Sequence, residues 1–253
     1  MIRRTNSNTR LLMRVHPSNY RIVGFASVPE RAELAALAHE KNLPIYEDAG
    51  SGQLGDLSQY GVVGEPIVRE VVEQGVDVVS FSGDKLLGSV QAGLIVGKHS
   101  IVSKLRKHPI YRALRSDKIR LAALEATLAS HNKDLAHVEV PIVQMLALSS
   151  DEVERRARSV VDGVDQSGAG RLKLELIAGE STLGGGAGPT SNFPTTLIAI
   201  THPDLSAQDI EHQLRTSTPP IISRITDGKV LLDLRTVFPE QIEAIAITLQ
   251  LFM

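Results

Sequence analysis

The 253-residue chain has no cysteine and no tryptophan, and only 4% of it is aromatic. The missing cysteine excludes disulfides, thiolate metal sites and cysteine nucleophiles, and is compatible with a reducing compartment. No apolar run is long enough to span a bilayer. The start Met1-Ile2-Arg3-Arg4 runs into polar Thr5-Asn6-Ser7-Asn8 without the apolar core of a signal peptide. The expected location is therefore the cytoplasm, with no membrane partner. A formal charge of −2 gives no global field toward polyanions, so any such contact must come from a local cluster. What is present is a globular composition, 42% hydrophobic and 22% charged, sufficient for one large domain or two smaller ones.

The first half reads as α/β. Short apolar runs at Tyr20–Phe25, Leu43–Asp48, Val76–Phe81 and Gly93–Gly97 are separated by helical stretches, which favours a sheet with much parallel pairing. Ser27 and Glu30 have capping-box spacing before a helical pattern of Ala32, Leu34, Leu37 and Ala38. Asp117 to Lys133 is free of Gly and Pro and sets Leu121, Leu124 and Leu128 at helical spacing, as a connecting helix would. Beyond it, strands at Leu172–Leu176, Thr196–Ile200 and Val230–Leu234 alternate with helices near Ser206–Leu214 and Pro239–Leu251, giving a small α+β domain. The expected domains are 1–133 and 134–253. Gly184 to Pro189 reads as a flexible loop.

Two features point to chemistry. Asp48 ends one strand, where ligands of α/β sheets gather. Lys85 lies just past the next strand in Ser82-Gly83-Asp84-Lys85. A lysine amine, an acid for a pyridine nitrogen and a hydroxyl for a phosphate are what pyridoxal phosphate requires, and Lys85, Asp48 and Ser82 supply one of each. Taken singly, a Ser-Gly-Asp-Lys turn is most often a solvated loop and an aspartate after a strand a cap. From Lys98 to Arg120 eight Lys and Arg face one acid, Asp117. Arg112 and Arg115, three apart, would share a face if helical. Taken alone, such a segment is more often a solvated face or a polyanion patch.

The segments Val15–Phe25, Glu47–Gly52 and Phe81–Gly93 resemble bacterial selenocysteine synthase, the L-seryl-tRNA(Sec) selenium transferase family. The resemblance continues through Tyr111–Lys118, Leu124–Leu128, Pro219–Arg224 and Leu232–Thr236. It implies a fold-type-I pyridoxal phosphate large domain followed by a small C-terminal domain, in a homo-oligomer built from dimers. It also implies conversion of seryl-tRNA(Sec) to selenocysteinyl-tRNA(Sec) through an aminoacrylyl intermediate, with selenophosphate as donor. Lys85 would be the Schiff-base lysine and acid/base, with Asp84 acting beside it. Asp48 and Ser82 would hold the ring nitrogen and phosphate, and His16, Ser18 and Asn19 would form a strand-end loop near the cofactor hydroxyl. Arg112 and Arg115 would receive the selenium-donor anion, and no metal is implied.

The chain departs from the family in two places. Nothing before Val15 resembles the family's amino-terminal portion, so the sequence reads as an N-terminally truncated form. Leu87-Gly88-Ser89-Val90-Gln91 replaces the usual Gly-Gly-Pro-Gln ending. Two alternatives stay open: a related lyase acting on a free amino acid or amino-sugar acid, in which Arg235 would bind a carboxylate, and a non-catalytic remnant or assembly partner.

Overall fold

The computed structural model describes residues 5–18, 20, 22, 24, 27–165, 171–185, 187–188 and 190–251. The chain forms two compact units, one of residues 1–144 with 183–191, the other of 145–182 with 192–253. The division falls within a helix, and the expected connecting helix lies inside the first unit.

The first unit is built on a four-stranded sheet in the order β1-β2-β3-β4: Leu12–Val15, Ile45–Gly50, Val78–Ser82 and Gly93–Gly97. β1, β2 and β3 are parallel and β4 returns antiparallel. Residues opposite each other in register share a face. Leu12, Arg14, Ile45, Glu47 and Val79 therefore lie on one side, and Met13, Val15, Tyr46, Asp48 and Ser80 on the other. The first side is covered. α1 (Arg31–Glu40) packs Leu34, Ala35 and Ala38 against Ile45, and α2 (Val68–Glu73) brings Val68 and Val71 against Ala49, Val79 and Phe81. Burial of such side chains contributes roughly 1.5–3 kcal/mol each.

Charge is also buried on that side. Glu47, fully buried, accepts from Arg14 at 2.6 Å and from Arg31 at 2.7 Å, locking β1, β2 and the start of α1 together. Asp77 accepts from the Ile45 amide at 2.9 Å and contacts Lys98 Nζ at 2.5 Å and His39 Nε2 at 3.0 Å. Burial alone raises the Asp77 carboxyl, but hydrogen bonds from Lys98, Ile45 and His39, with the Lys98 charge, outweigh it and leave its pKa below the ordinary value.

After β4 come α3 (His99–Lys107), α4 (Pro109–Leu114), α5 (Lys118–Asn132), α6 (Ala136–Glu139) and α7 (Pro141–Ala147). Asp117 caps α5 by accepting from the Ile119 and Arg120 amides. Leu124 and Leu128 reach the core cluster of β3 and α2, whereas Leu121 is exposed.

The second unit is an antiparallel sheet in the order β5-β6-β8-β7: Lys173–Thr182, Asn192–Thr201, Lys229–Asp233 and Arg224–Thr226. It is covered by α8 (Ser150–Asp165), α9 (Ala207–Thr216) and α10 (Ile242–Gln250). Ser206 and Asp209 form a reciprocal capping box at α9.

The α/β reading of the first half and the small α+β unit hold. Of the expected strand Tyr20–Phe25, Arg21, Val23 and Phe25 lie outside the described residues and Tyr20 and Ile22 are exposed; the strand beside β2 is Leu12–Val15. Two local expectations do not hold. The capping box at Ser27 does not form, because Pro29 disfavours helical geometry at Val28 and α1 begins at Arg31. Arg112 and Arg115 do not share a helical face, because α4 stops at Leu114 and Arg115 is extended at φ −61°, ψ 139°. Helix α8 is the main element not anticipated. Of the loop 184–189, Gly186 and Pro189 lie outside the described residues, and the Gly188 amide donates to Glu65 at 2.6 Å.

Candidate functional site

β2 and β3 end side by side, and their ends carry the candidate residues. Asp48 is paired in register with Ser80, and a bulge at Ala49 separates that pair from Gly50 and Phe81. A bulge re-aims the side chains beside it. The half-buried Asp48 carboxylate accepts from the Gly50 amide at 3.0 Å and from Ser80 Oγ at 3.4 Å. Ser80 Oγ is itself 2.7 Å from Tyr46 Oη. Ser82, two residues beyond Ser80, points to the same face.

The turn after β3 is clamped from several sides. The Gly83 amide donates to Ala92 O at 2.9 Å, the Leu86 amide to Ser51 O at 3.0 Å, and the Ser89 amide to Gly83 O at 2.8 Å. Leu86 and Leu87 are buried, and His131 Nε2 lies 3.0 Å from Leu87 O. Gly52 sits at φ +75°, and a Cβ there would come within 2.2 Å of Ser82 O. Only glycine lets that strand end approach the turn so closely.

A cavity of about 500 Å³ opens at this turn, with Ser82, Asp84, Lys85, Gln91, Arg115 and Arg120 on its walls. Lys85 is half-buried and Asp84 exposed. Among the described residues neither Lys85 nor Arg115 has an ion-pair partner, whereas Arg120 is held by Asp117 at 2.8 Å. The wall thus carries three cations and one acid, which suits an anionic ligand.

The structure brings Ser82, Asp84, Lys85 and Arg115 together. Asp48 lies on the same sheet face as Ser82 but not on the cavity wall, and Arg112 is exposed on α4. His16 extends the β1–β2 ladder by donating its amide to Asp48 O at 2.9 Å. Its imidazole Nε2 lies 3.2 Å from Glu65 Oε2, lining a second cavity of about 300 Å³. Burial raises the Glu65 carboxyl, but contacts with His16, Ser51 and the Gly188 amide bring its pKa below the ordinary value. Ser18 lies against Gly50, and Asn19 is outside the described residues.

Sequence reasoning missed Ser80, Tyr46 and Arg120. A period-two reading of β3 would have placed Ser80 with Ser82, but its pairing with Asp48 depends on register between strands. Among the described residues no group of three or more His, Asp or Glu is placed to hold a metal ion, and no helix is long and apolar enough to cross a membrane.

Arg235, in the second unit, is 5% exposed and occupied internally. It donates to Ser181 Oγ at 3.1 Å and to the carbonyls of Pro194, Met145 and Leu148 at 2.8, 3.2 and 2.7 Å. Burial depresses its pKa, with Asp233 opposing. Four of its five N–H donors are thus taken by groups inside the unit.

Comparison with known proteins adds to this geometry. The family profile described as SelA: L-seryl-tRNA selenium transferase matches residues 3–238. The L-seryl-tRNA(Sec) selenium transferase of Geobacter sulfurreducens is 45% identical over 240 residues, covering 94% of this chain and 52% of the relative. That of Moorella thermoacetica is 42% identical, covering 96% of this chain and 52% of the relative. The chain spans about half the length of the curated relatives it matches. Among solved structures, D-glucosaminate-6-phosphate ammonia-lyase aligns with a TM-score of 0.59 at 21% identity, covering 99% of this chain and 59% of the other, a likeness of fold.

Proposed function

The chain belongs to the L-seryl-tRNA selenium transferase family, and on that premise we propose that it carries the lysine-bearing part of a pyridoxal phosphate site. That site would convert seryl-tRNA(Sec) to selenocysteinyl-tRNA(Sec) with selenophosphate as donor, in a cytoplasmic homo-oligomer built from dimers. The observation that carries the reading is the convergence of Ser82, Asp84, Lys85 and Arg115 on one cavity.

The donor set fits the cofactor: an amine without an ion-pair partner among the described residues, a hydroxyl and a guanidinium for phosphate, and a carboxylate on the same sheet face. Bound pyridoxal phosphate supplies an electron-accepting ring that stabilises negative charge at the substrate α-carbon. Lys85 would hold the cofactor through its amine and serve as the acid/base for the substrate α-proton. Asp48, kept in place by the Gly50 amide and the Ser80 hydroxyl, would hold the ring nitrogen. Ser82 would donate its hydroxyl to the phosphate. Arg115 would receive the selenium-donor anion with Asp84 beside it, whereas Arg112, exposed on α4, stands off the cavity. His16 and Ser18 would stand in the strand-end loop near the cofactor hydroxyl, and Asn19 lies outside the described residues.

Titrating pyridoxal phosphate into the folded chain tests the reading. The expected result is an absorbance band of a lysine adduct that Lys85→Ala lacks. A sample with intact circular dichroism and no Lys85-dependent band contradicts it.

A further inference from the structure

From Lys98 to Arg120 the chain carries eight Lys and Arg, and the fold sorts them. Of these, Arg115 and Arg120 stand on the wall of the cavity that holds Lys85. Arg106 on α3 and Arg112 on α4 are exposed and off that wall. Position, not the density of charge along the segment, therefore decides which cations can meet a ligand there.

The two guanidinia are held by different means. Arg115 ends α4: its amide donates to Tyr111 O at 2.8 Å, and its extended backbone carries the chain out of the helix. Arg120 lies in the first turn of α5. The cap residue Asp117 accepts from the Ile119 and Arg120 amides through Oδ1, at 2.9 and 3.0 Å, and from the Arg120 guanidinium through Oδ2 at 2.8 Å. The Arg120 amide, the Ile119 amide and the Arg120 charge outweigh desolvation and keep the Asp117 carboxyl below its ordinary range, so it stays ionised at neutral pH. A carboxylate tied to backbone amides is a fixed point. It engages one of the five N–H donors of Arg120, and among the described residues no other partner takes the rest. Arg120 is thus placed at the cavity with most of its fork unused.

Lys85, Arg115 and Arg120 against Asp84 leave the wall with two positive charges in excess. A planar guanidinium fork grips two oxygens of an oxyanion, and a tetrahedral dianion has oxygens for a second fork. We propose that Arg120 is the second guanidinium of the anion site, acting with Arg115 in the place expected of Arg112, and that the pair selects a tetrahedral dianion of the phosphate type. A planar monoanion has charge and oxygens for one fork and leaves the other idle. The assignment rests on the donor-anion role of Arg115 and adds the residue that sets the preference.

Calorimetric titration of the cofactor-free 253-residue chain tests it, with inorganic phosphate at a pH where the dianion dominates and, separately, with nitrate. Arg120→Ala should weaken phosphate binding about tenfold and nitrate binding less than about threefold, narrowing the preference between them. Arg120→Lys keeps the charge without the fork and should fall between wild type and Arg120→Ala. Arg106→Ala removes the same charge off the wall and should change phosphate binding less than about twofold. The Asp117–Arg120 pair is exposed, so folding should survive its loss, which circular dichroism checks. Phosphate binding unchanged in Arg120→Ala, equal losses in Arg120→Ala and Arg106→Ala, an equal loss for both anions, or no phosphate binding by the unsubstituted chain at millimolar concentrations overturns the proposal. The titration uses no pyridoxal phosphate and leaves Lys85 in place, so its failure leaves the lysine-adduct reading standing, and a missing adduct leaves the phosphate result standing.

Discussion

The Asp48 carboxylate and the Ser80 hydroxyl stand side by side on parallel strands, with 3.4 Å between Oδ1 and Oγ and Tyr46 Oη 2.7 Å beyond. The pair couples the acid on β2 to the strand that delivers Lys85. Ser80→Ala removes one long hydrogen bond and should weaken pyridoxal phosphate binding by about 1 kcal/mol, roughly fivefold. Asp48→Asn removes the charge itself and should cost about 2 kcal/mol or more. Fluorescence titration of the cofactor checks both, and the reverse order of effects would remove Asp48 from the site.

Arg115 and Arg112 should separate experimentally. Arg115 lines the cavity with Lys85, whereas Arg112 stands exposed on α4. With inorganic phosphate as the probe, Arg115→Ala should weaken binding about tenfold, as loss of a charged contact does, and Arg112→Ala by less than about twofold. Calorimetric titration of the two variants measures this, and equal losses would return the two arginines to one site.

Gly52 holds the approach of β2 to the lysine turn. Alanine there combines a positive φ with a Cβ 2.2 Å from Ser82 O. The expected cost is about 3 kcal/mol, from backbone strain and overpacking together, read as a lower urea midpoint. A loss below about 0.5 kcal/mol would mean that the turn relaxes freely.

Asp77 makes the first unit acid-sensitive. Its folded-state pKa lies below that of the unfolded chain, near 3.9 for an ordinary aspartate. The stabilisation is therefore present above that value and lost as pH falls through the folded pKa. Asp77→Asn should flatten the acid limb of a stability profile below about pH 5, and cost about 2 kcal/mol at neutral pH by stranding Lys98, His39 and the Ile45 amide. Urea denaturation at several pH values shows whether the slope is shared by the variant.

How much was legible depended on whether the information was local. Glycines at both ends bound Gly93–Gly97, and Asp117 marks the start of α5, so both were readable from neighbours in sequence. Helix α8 was not, because Val153, Ala157, Val160 and Val164 are spread among charged residues that dominate the segment. Lys85 and Ser82 share a turn and could be found together. The company of Ser80 and Tyr46 around Asp48 depends on β2–β3 register, and the split of Arg112 from Arg115 on where α4 stops, which no local signal marks.

The central claim concerns one atom, Lys85 Nζ. Borohydride reduction of the chain incubated with pyridoxal phosphate, followed by proteolysis and mass spectrometry, should place the phosphopyridoxyl group on the peptide containing Lys85, with labelling lost in Lys85→Ala at unchanged circular dichroism. A label spread over surface lysines, or one that persists in Lys85→Ala, contradicts the account.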